Sequence, residues 1–260
     1  MNSEAVSGSR RDSDGHLFTV ITVCRNSEAV IAKTIVSVLK QAYSDMEYLI
    51  IDGASTDSTV AVAEKYIETF QKRGCRYRII TEPDRGIYDA MNKGIQYAQG
   101  EVIGFLNAGD WYERDALKTV AKIYSTTGFD YFYADIRLVR ADGAVMVKRV
   151  RMDMFPTSRH WNHPTNFTRK EIYKELGGFR CRGIHDDFEF FLRIRRTDKK
   201  IVIINKVLAN FSAGGISNKK GAALCVKRIR DRFWGYAVNG YSPFYLLECI
   251  GIEIIKCIIC

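Results

Sequence analysis

The chain of 260 residues lacks the signatures of several common protein classes. Its seven cysteines form no Cys/His group with zinc-site spacing, and such an odd, scattered set is typical of a reducing cytosol. The first residues hold no apolar run like that of a secretory signal. The GxGxxG loop of dinucleotide-binding folds is also missing. These absences argue against a zinc module, a disulfide scaffold and a standard dinucleotide-binding domain.

Composition and charge divide the chain into three parts. Residues 1–16, rich in Ser, Gly, Arg and Asp, are predicted to be a disordered tail, and residues 17–217 are long enough for one domain. Residues 218–260 are predicted to be a basic, amphipathic helical extension. The net charge of the chain is +9 and is not evenly spread, since six basic residues crowd this last part: Lys219, Lys220, Lys227, Arg228, Arg230 and Arg232. Such a patch attracts polyanions, either nucleic acid or an anionic membrane leaflet.

The last segment of the sequence favours the membrane over nucleic acid. Phe244 to Cys260 is almost wholly apolar, but charged residues interrupt it, and it is shorter than the roughly 20 residues of a spanning helix. Beside a basic stretch, this pattern is typical of a helix that lies on a membrane surface. The alternative is that the apolar stripe packs on the protein's own core. No motif or stacking platform for nucleic acid is visible, so no nucleic-acid partner is expected.

Strand-like and helix-like runs alternate along the first half of the chain. The predicted strands are Phe18–Val23, Glu47–Ile51, Tyr77–Thr81 and Glu101–Leu106, with helices at Ala29–Gln41, Ser58–Gln71 and Ala90–Ala98. Further on, strands are predicted at Tyr131–Leu138, Ala144–Arg151 and Lys200–Asn205, and helices at Thr168–Leu176 and Asp186–Arg196. The alternation predicts right-handed βαβ crossovers. The fold class is therefore α/β, with a Rossmann-like, mixed but mostly parallel sheet flanked by helices.

Acidic residues follow two of the predicted strands. Asp110 comes soon after the strand that ends at Leu106, and the carboxyl edge of an open α/β sheet is where ligands bind. A carboxylate there suits a hard metal ion that holds a phosphate, or it caps the helix that follows. Asp52 ends another strand, where an acid can accept a hydrogen bond from a base or a ribose hydroxyl. Asp57 is expected to be a helix cap.

Three later segments combine polar and aromatic residues. Glu82–Gly94 is polar and enters a helix, which fits either a turn with a helix cap or contacts to phosphate and sugar. His160–Thr165 holds two imidazoles and an indole beside a proline, without a third histidine at metal-ligand spacing. Asp186 and Asp187 open a phenylalanine-rich helix, where they either cap it or supply a desolvated general base.

Taken in order, these motifs resemble the family 2 glycosyltransferases of the GT-A fold, and more narrowly the bacterial enzymes that build colanic acid, O-antigen and capsular polysaccharides. The resemblance covers roughly Phe18 to Ser217, a span large enough for one domain. The segments that carry it are FTVITVCRNSE, IIDGASTDST, EPDRGIYDAMNKGI, GEVIGFLNAGDW, HPTNFTRKEIYKELGGF and DDFEFFLR.

The resemblance implies a role for each motif residue. Asp187 would be the catalytic base, Asp110 would bind Mg²⁺ or Mn²⁺ on the donor diphosphate, and His163 would lie near the acceptor with no specified role. The donor contacts would be Val23, Arg25 and Asp52 at the base or ribose, Arg85 and Gly86 at the diphosphate, Asp89 and Asn92 at the sugar, and Asn107.

Two departures from the family pattern affect these expectations. Many relatives carry an acid at the position of Gly53, which puts the usual acidic contact to uracil in doubt. The run Asn107–Asp110 replaces an acid-rich one, which leaves Asp110 as the single strong metal ligand. Mg²⁺ tolerates such a site because it keeps several waters and takes one or two carboxylates together with substrate phosphates.

The predicted function is that of an inverting, metal-dependent hexosyltransferase. Its donor would be a nucleoside-diphosphate sugar, expected to be UDP-linked, and its acceptor a hydroxyl of a polyprenyl-diphosphate-linked glycan in surface polysaccharide synthesis. The enzyme would work in the cytoplasm, peripherally at the inner face of the cell membrane. The alternative is a nucleotide-binding scaffold or regulatory protein of the same fold that has lost catalysis. The motifs specify neither the donor sugar nor the oligomeric state.

Overall fold

The structure, a computed structural model, describes residues 17–140, 142–212 and 221–259. The predicted tail of residues 1–16, the predicted boundary at 217 and 218, and the basic residues Lys219 and Lys220 lie outside this description. The described residues form one mixed sheet with helices on both faces, followed by a helical extension. The predicted α/β architecture is confirmed.

The strands are β1 (Phe18–Cys24), β2 (Met46–Asp52), β3 (Arg76–Thr81), β4 (Val102–Phe105), β5 (Trp111–Tyr112), β6 (Tyr131–Val139), β7 (Val145–Lys148), β8 (Phe167–Arg169) and β9 (Ile201–Ser212). The helices are α1 (Ile31–Leu39), α2 (Thr59–Glu64), α3 (Ile67–Lys72), α4 (Ile87–Tyr97), α5 (Ala116–Thr127), α6 (Lys170–Leu176), α7 (Asp186–Ile194), α8 (Ala222–Val238) and α9 (Tyr245–Ile259). Short 3₁₀ turns occupy Ser158–His160 and His163–Thr165.

The first four strands run parallel, and their carboxyl ends meet at one edge. The order along the sheet is β3-β2-β1-β4-β8-β6-β9-β5, with β7 paired to β6. Cys24 lies opposite Asp52, and Asp52 lies opposite Thr81. The chain leaves β1 toward β2 and β3 on one side and returns to β4 on the other, so the crevice between the ends of β1 and β4 is a topological switch point.

The sheet contains an antiparallel strand that the sequence pattern does not predict. Phe167–Arg169 pairs with both β4 and β6, and the helix predicted from Thr168 begins only at Lys170. A three-residue strand is too short to show a period of two. Gly104 makes this pairing possible, because a Cβ atom there would lie 2.5 Å from Cε1 of Phe167.

The boundaries of other elements also differ from the predictions. The helix expected at Ser58–Gln71 is two short helices, α2 and α3, while β9 continues past Asn205 to Ser212. β9 can extend because it pairs in parallel with β6 and then antiparallel with β5. The strand β5 and the helix α5 complete the region after Asp110. Asp110 does not cap α5, since the residue before that helix is Asp115.

Two apolar layers enclose the sheet. One face packs against α1, α2, α3 and α5, with Ile35, Phe70 and Leu117 among the contacts. The other face packs against α4, α6, α7 and α8, and this layer is rich in aromatic rings from α7. Buried apolar area of this kind stabilises the domain, and residues of α4 and α7 belong to the same apolar layer.

The C-terminal extension packs on the domain through both of its helices. The rings of Tyr236 in α8 and Tyr245 in α9 stack with centroids 4.0 Å apart. Glu253 of α9 is buried and accepts hydrogen bonds from Arg228 at 2.6 Å and Arg232 at 3.1 Å. Two members of the predicted basic patch are therefore bonded to an internal carboxylate. Removing a charge from water is costly unless an opposite charge accompanies it.

The apolar stripe of the extension is divided between core and surface. Cys249 is buried in the aromatic layer of the domain, as the packing alternative predicts, and Ile252 is also buried, whereas Phe244 and Leu247 are 79% and 67% exposed. Among the described helices, none is long and apolar enough to cross a membrane.

Candidate active site

The loops after β1 and β2 are tied together at the carboxyl edge of the sheet. Asn26, at φ +49°, accepts a hydrogen bond from the Thr56 N–H at 2.8 Å, and its own N–H donates to Ser55 Oγ at 2.8 Å. Asp52 is fully buried beneath them and accepts hydrogen bonds from the Ser55 N–H and hydroxyl. Val23 is buried and Arg25 is exposed at the rim. The structure thus brings together the three residues predicted at the base or ribose.

Asp57 supports the start of α2, although Ser58 and not Asp57 is the residue that immediately precedes the helix. Its Oδ1 accepts the N–H of Thr59, the first residue of α2, at 2.9 Å, and its Oδ2 accepts the N–H of Glu28 at 3.1 Å. Burial alone would raise the pKa of Asp57, but the hydrogen bonds from the Thr59 hydroxyl, the Thr59 N–H and the Glu28 N–H together outweigh it and lower the pKa. Asp57 therefore links the two loops structurally.

The segment before α4 forms a compact turn over the same edge. Gly86 adopts φ +127°, a conformation that favours glycine, and leads directly into the helix. Asp89, in the first turn, accepts the Arg85 N–H at 3.0 Å and the Arg85 guanidinium at 3.2 Å. The Arg85 N–H and guanidinium lower the pKa of Asp89. Asp89 therefore stabilises the turn, as the first alternative predicts, and contacts of this segment to phosphate and sugar stay a prediction.

Asn92 is occupied by a structural contact. Its Nδ2 donates to the Phe179 carbonyl at 2.8 Å and its Oδ1 accepts the Phe179 N–H at 2.8 Å. A Cβ atom on Gly178 would lie 2.3 Å from Asn92 Oδ1, so this close approach requires glycine. Asn92 thereby pins α4 to the turn before α7, and its contact to the donor sugar stays a prediction.

Asp110 is buried in the switch-point crevice, with 4% of its surface exposed. Its Oδ1 accepts the Ser212 N–H at 2.9 Å, and the Thr34 hydroxyl bonds the Asp110 carbonyl at 2.7 Å. Burial raises the pKa of the carboxyl group to about 7, opposed by the Ser212 N–H and by the charge of Lys33. Lys33, which the sequence motifs did not single out, projects over the Trp111 ring, and its Nζ lies 2.9 Å from the ring centroid.

The donor atoms around Asp110 are hard oxygens, but few in number. Across residues 17–140, 142–212 and 221–259, no group of three or more His, Cys, Asp or Glu side chains could hold a metal ion. Oδ1 of Asn107 is buried and meets no hydrogen-bond partner within those ranges. One carboxylate and one orphaned amide oxygen fit a divalent ion that keeps waters and takes its other ligands from phosphates.

Asp187, at the start of α7, meets side chains from two other elements. Its Oδ1 accepts the hydroxyl of Tyr88 from α4 at 2.9 Å and the Phe188 N–H at 2.8 Å. Its Oδ2 lies 3.3 Å from Nδ1 of His163. The hydroxyl of Tyr88 is the contact that sequence reasoning missed, because 99 residues separate it from Asp187 and no local pattern marks the pair.

His163 is enclosed by rings. The centroids of Phe105 and Trp161 each lie 6.1 Å from the imidazole centroid. Burial lowers the pKa of His163, and the nearby Asp187 only partly opposes this. Neither ring nitrogen makes a well-aligned hydrogen bond to any side chain or backbone group that the structure describes. A neutral imidazole therefore lies beside the outer oxygen of Asp187.

The two acids at the start of α7 have separate environments. Asp186 is buried and accepts the backbone N–H groups of Arg182 and Gly183, so it orders the preceding loop. Burial raises the pKa of Asp186. Asp187 instead turns toward Tyr88 and His163. Asp186 is therefore the structural acid of the two, and Asp187 is the candidate base.

Known proteins provide an independent comparison. A glycosyltransferase of PGL/p-HBAD biosynthesis from Mycobacterium bovis is 28% identical over 207 residues, covering 78% of this chain and 79% of the relative. An uncharacterized glycosyltransferase from Mycobacterium tuberculosis is 28% identical over 235 residues, covering 85% and 86%.

Two solved structures share the fold at low sequence identity. TarS of S. aureus, in complex with UDP, has a TM-score of 0.66 and 16% identity, covering 91% of this chain and 70% of that one. A mannosyltransferase from Pyrobaculum calidifontis, in complex with GDP-Man and Mn²⁺, has a TM-score of 0.68 and 17% identity, covering 94% and 74%. The profile described as glycosyl transferase family 2 matches residues 19–187. The chain therefore belongs to glycosyl transferase family 2 and has the GT-A fold expected from its sequence.

Proposed function

We propose that this glycosyltransferase moves a sugar from a nucleoside-diphosphate sugar to an acceptor hydroxyl with inversion at the anomeric carbon. The observation that carries the proposal is the environment of Asp187: two donors hold Oδ1, while Oδ2 is left to face the site beside a neutral imidazole. A carboxylate fixed in this way is suited to accept a proton through its outer oxygen.

In the proposed reaction, Asp187 is the only proton acceptor. The acceptor oxygen attacks the anomeric carbon from the face opposite the diphosphate, and the bond between that carbon and the diphosphate oxygen breaks. The hydroxyl proton passes to Oδ2 of Asp187, and the electron pair of the broken bond leaves with the nucleoside diphosphate. Tyr88 and the Phe188 N–H orient the carboxylate, which keeps the geometry needed for proton transfer.

A divalent metal ion, Mg²⁺ or Mn²⁺, is part of this proposal. Asp110 and the orphaned Oδ1 of Asn107 would hold it. When bound, the ion would neutralise negative charge on the leaving diphosphate. The Mn²⁺ in the mannosyltransferase complex supports this assignment by analogy. Lys33 adds a fixed positive charge close to Asp110.

The donor class is supported by the nucleotides that similar structures contain. TarS has been solved with UDP and with UDP-GlcNAc, and the mannosyltransferase with GDP-Man. The acceptor is proposed to be a lipid-linked glycan of a surface polysaccharide, and the mycobacterial relative of PGL/p-HBAD biosynthesis supports glycan synthesis. The proposed location is the inner face of the cell membrane.

Exposed apolar side chains provide a surface for such a peripheral location. Phe244 and Leu247 of the extension are exposed, and so are Met154 and Phe155. The two segments adjoin, because the Tyr236 hydroxyl bonds both the Pro156 carbonyl and the Glu248 carboxylate, at 2.9 and 2.8 Å. Apolar side chains of this kind partition into the headgroup region of a bilayer.

The membrane proposal is tested by sedimentation with anionic vesicles. Phe244→Ser with Leu247→Ser should move the protein to the supernatant, whereas Val145→Ser with Val147→Ser, which also replaces two exposed apolar side chains but on strand β7, should not. Unchanged pelleting of the first variant would refute the assignment of this surface. Point substitutions are preferable to deletion of α9, because Glu253 in that helix is the buried carboxylate that bonds Arg228 and Arg232.

The catalytic proposal is tested with a panel of nucleotide sugars. Thermal melting with Mg²⁺ or Mn²⁺ identifies the donor, since a ligand present at about 100 times its Kd stabilises the folded state by roughly 2.7 kcal/mol. Release of the nucleoside diphosphate, with and without acceptor glycans, then measures turnover. Donor binding without hydrolysis or transfer under any condition would favour the alternative of a degenerate, nucleotide-binding scaffold.

A further inference from the structure

The space beside Gly53 is filled by the side chain of Asp84. A Cβ atom on Gly53 would lie 2.0 Å from Oδ2 and 2.9 Å from Cγ of Asp84. No side chain at position 53 could share that space with the Asp84 carboxylate. The carboxylate of Asp84, in the turn after β3, therefore occupies the place that a side chain at position 53, after β2, would take.

Asp84 is held in this position by backbone contacts at both ends of its turn. Its Oδ1 accepts the Gly86 N–H at 2.9 Å, and Gly86 adopts φ +127° to direct that N–H. The Glu82 N–H bonds the Asp52 carbonyl at 3.0 Å, which fastens the turn to the end of β2. The carboxylate is thus fixed without a cation in contact among the side chains that the structure describes.

Asp84 keeps hydrogen-bonding capacity that Asp52 has already used. Both oxygens of Asp52 accept hydrogen bonds from Ser55. Oδ2 of Asp84 accepts none from the described part of the chain, and it lies 2.0 Å from the position that a Cβ of Gly53 would take, with Cδ of Arg25 3.4 Å from the same position. An ionised carboxylate is an acceptor only, so Oδ2 is suited to a donor N–H or O–H of a ligand.

The position of Asp84 in the sheet indicates which part of the donor it meets. Ligands of open α/β sheets bind over the carboxyl ends at the switch point, here between β1 and β4. Asp110, proposed for the diphosphate, lies after β4, whereas Gly53 and Asp84 lie beyond β1, after β2 and β3. A donor that spans the crevice would place its diphosphate at the first site and its base at the second.

We propose that Asp84 reads the base of the donor nucleotide by accepting a hydrogen bond from a ring N–H, as uracil and guanine provide. Cytosine and adenine present a ring nitrogen lone pair instead, which a carboxylate repels. This inference rests on the proposed function, since it assumes a nucleoside-diphosphate donor. It identifies Asp84 as a residue that determines nucleotide specificity.

The experiment is calorimetric titration of wild type, Asp84→Asn and Asp84→Ala with UDP, GDP, CDP and ADP, in Mn²⁺. Wild type should bind UDP or GDP and discriminate against CDP and ADP, and the UDP and GDP titrations distinguish the two sources of the ring N–H. Both variants should lose roughly tenfold to a hundredfold in affinity for the preferred nucleotide, because a hydrogen bond to a charged group is lost. Discrimination against CDP should shrink most in Asp84→Asn, whose amide can donate to the cytosine ring.

Controls separate this inference from the function on which it rests. Asp142→Asn, an exposed acid in the turn between β6 and β7, should bind as wild type does, and melting curves should show that all variants are folded. The double variant Gly53→Asp/Asp84→Ala, which returns an acid to the same space, should recover part of the discrimination. Wild-type affinities and ratios in both Asp84 variants would overturn the base contact but not the proposed function. Failure of wild type to bind any of the four nucleotides would overturn both.

Discussion

Substitution of Asp187 by asparagine isolates the proton-accepting step from the rest of the site. In the wild type, the Tyr88 hydroxyl and the Phe188 N–H lie 2.9 and 2.8 Å from Oδ1. The amide carbonyl of the new side chain can still accept both of these hydrogen bonds. The amide NH₂ replaces Oδ2, the atom that lies 3.3 Å from His163 Nδ1. The variant therefore keeps the contacts that orient the side chain and loses only its basicity.

The expected loss in turnover follows from that geometry. General base catalysis contributes about 10²–10⁴-fold, which is about 3–5 kcal/mol of transition-state stabilisation. We therefore expect kcat of Asp187→Asn to fall by that factor, while the Kd for the nucleoside diphosphate changes less than about threefold because the donor contacts lie elsewhere. Melting temperature should change little, since both hydrogen bonds to Oδ1 persist.

The assay is release of the nucleoside diphosphate at saturating donor, with calorimetry of nucleotide binding in parallel. Asp142→Asn serves as the matched control, because it makes the same chemical change at an exposed turn. If Asp187→Asn keeps turnover within about threefold of wild type, proton acceptance by Asp187 is wrong. If nucleotide binding and turnover fall together, the residue acts on the donor and not on the acceptor.

Three further predictions concern the metal, the pH response and the extension. In Asp110→Asn, Mn²⁺ should no longer raise the melting temperature obtained with UDP, and a full Mn²⁺ effect in this variant would exclude Asp110 as the ligand. Burial lowers the pKa of His163, so the unfolded chain takes up a proton first as pH falls below about 6.5 and the folded state loses stability. The pH dependence of melting between about pH 7.5 and 5 should therefore be shallower in His163→Gln, and equal slopes would contradict a neutral His163. Glu253→Ala should lower the free energy of unfolding in urea by about 3–5 kcal/mol, because it leaves Arg228 and Arg232 buried without their carboxylate; the exposed neighbour change Ile254→Ser should cost less than about 0.5 kcal/mol.

The parallel half of the sheet was predictable because each strand there is a continuous apolar run with helical periodicity between the runs. β1 and β2 differ from their predicted boundaries by only one residue at either end. β8 could not be found in the same way. Its three residues form a strand only because β4 and β6 flank it and Gly104 admits the Phe167 ring. Tertiary pairing, and not local propensity, decides such an element.

The same distinction between local pattern and tertiary contact applies to the candidate site. Motifs located Asp52, Asp110 and Asp187 because each follows or opens a regular element. They did not indicate that Asp84 occupies the space at Gly53 or that Tyr88 bonds Asp187, since both contacts join segments that are remote in sequence. Charge counting also overstated the basic patch, because composition does not tell an exposed arginine from one paired in the interior, as Arg232 is.

Arg232 connects the end of the chain to the active site. Its guanidinium bonds Glu253 in α9 and lies 3.2 Å from Nε2 of His185, two residues before Asp187. These contacts limit which substitutions the sequence can accept during evolution. Loss of Glu253 leaves the buried Arg232 without that carboxylate, so a change of Glu253 is expected only together with a change of Arg232. Any joint replacement must also keep a side chain that contacts His185. The sequence of α9 is therefore constrained by α7, the helix that begins with Asp186 and Asp187.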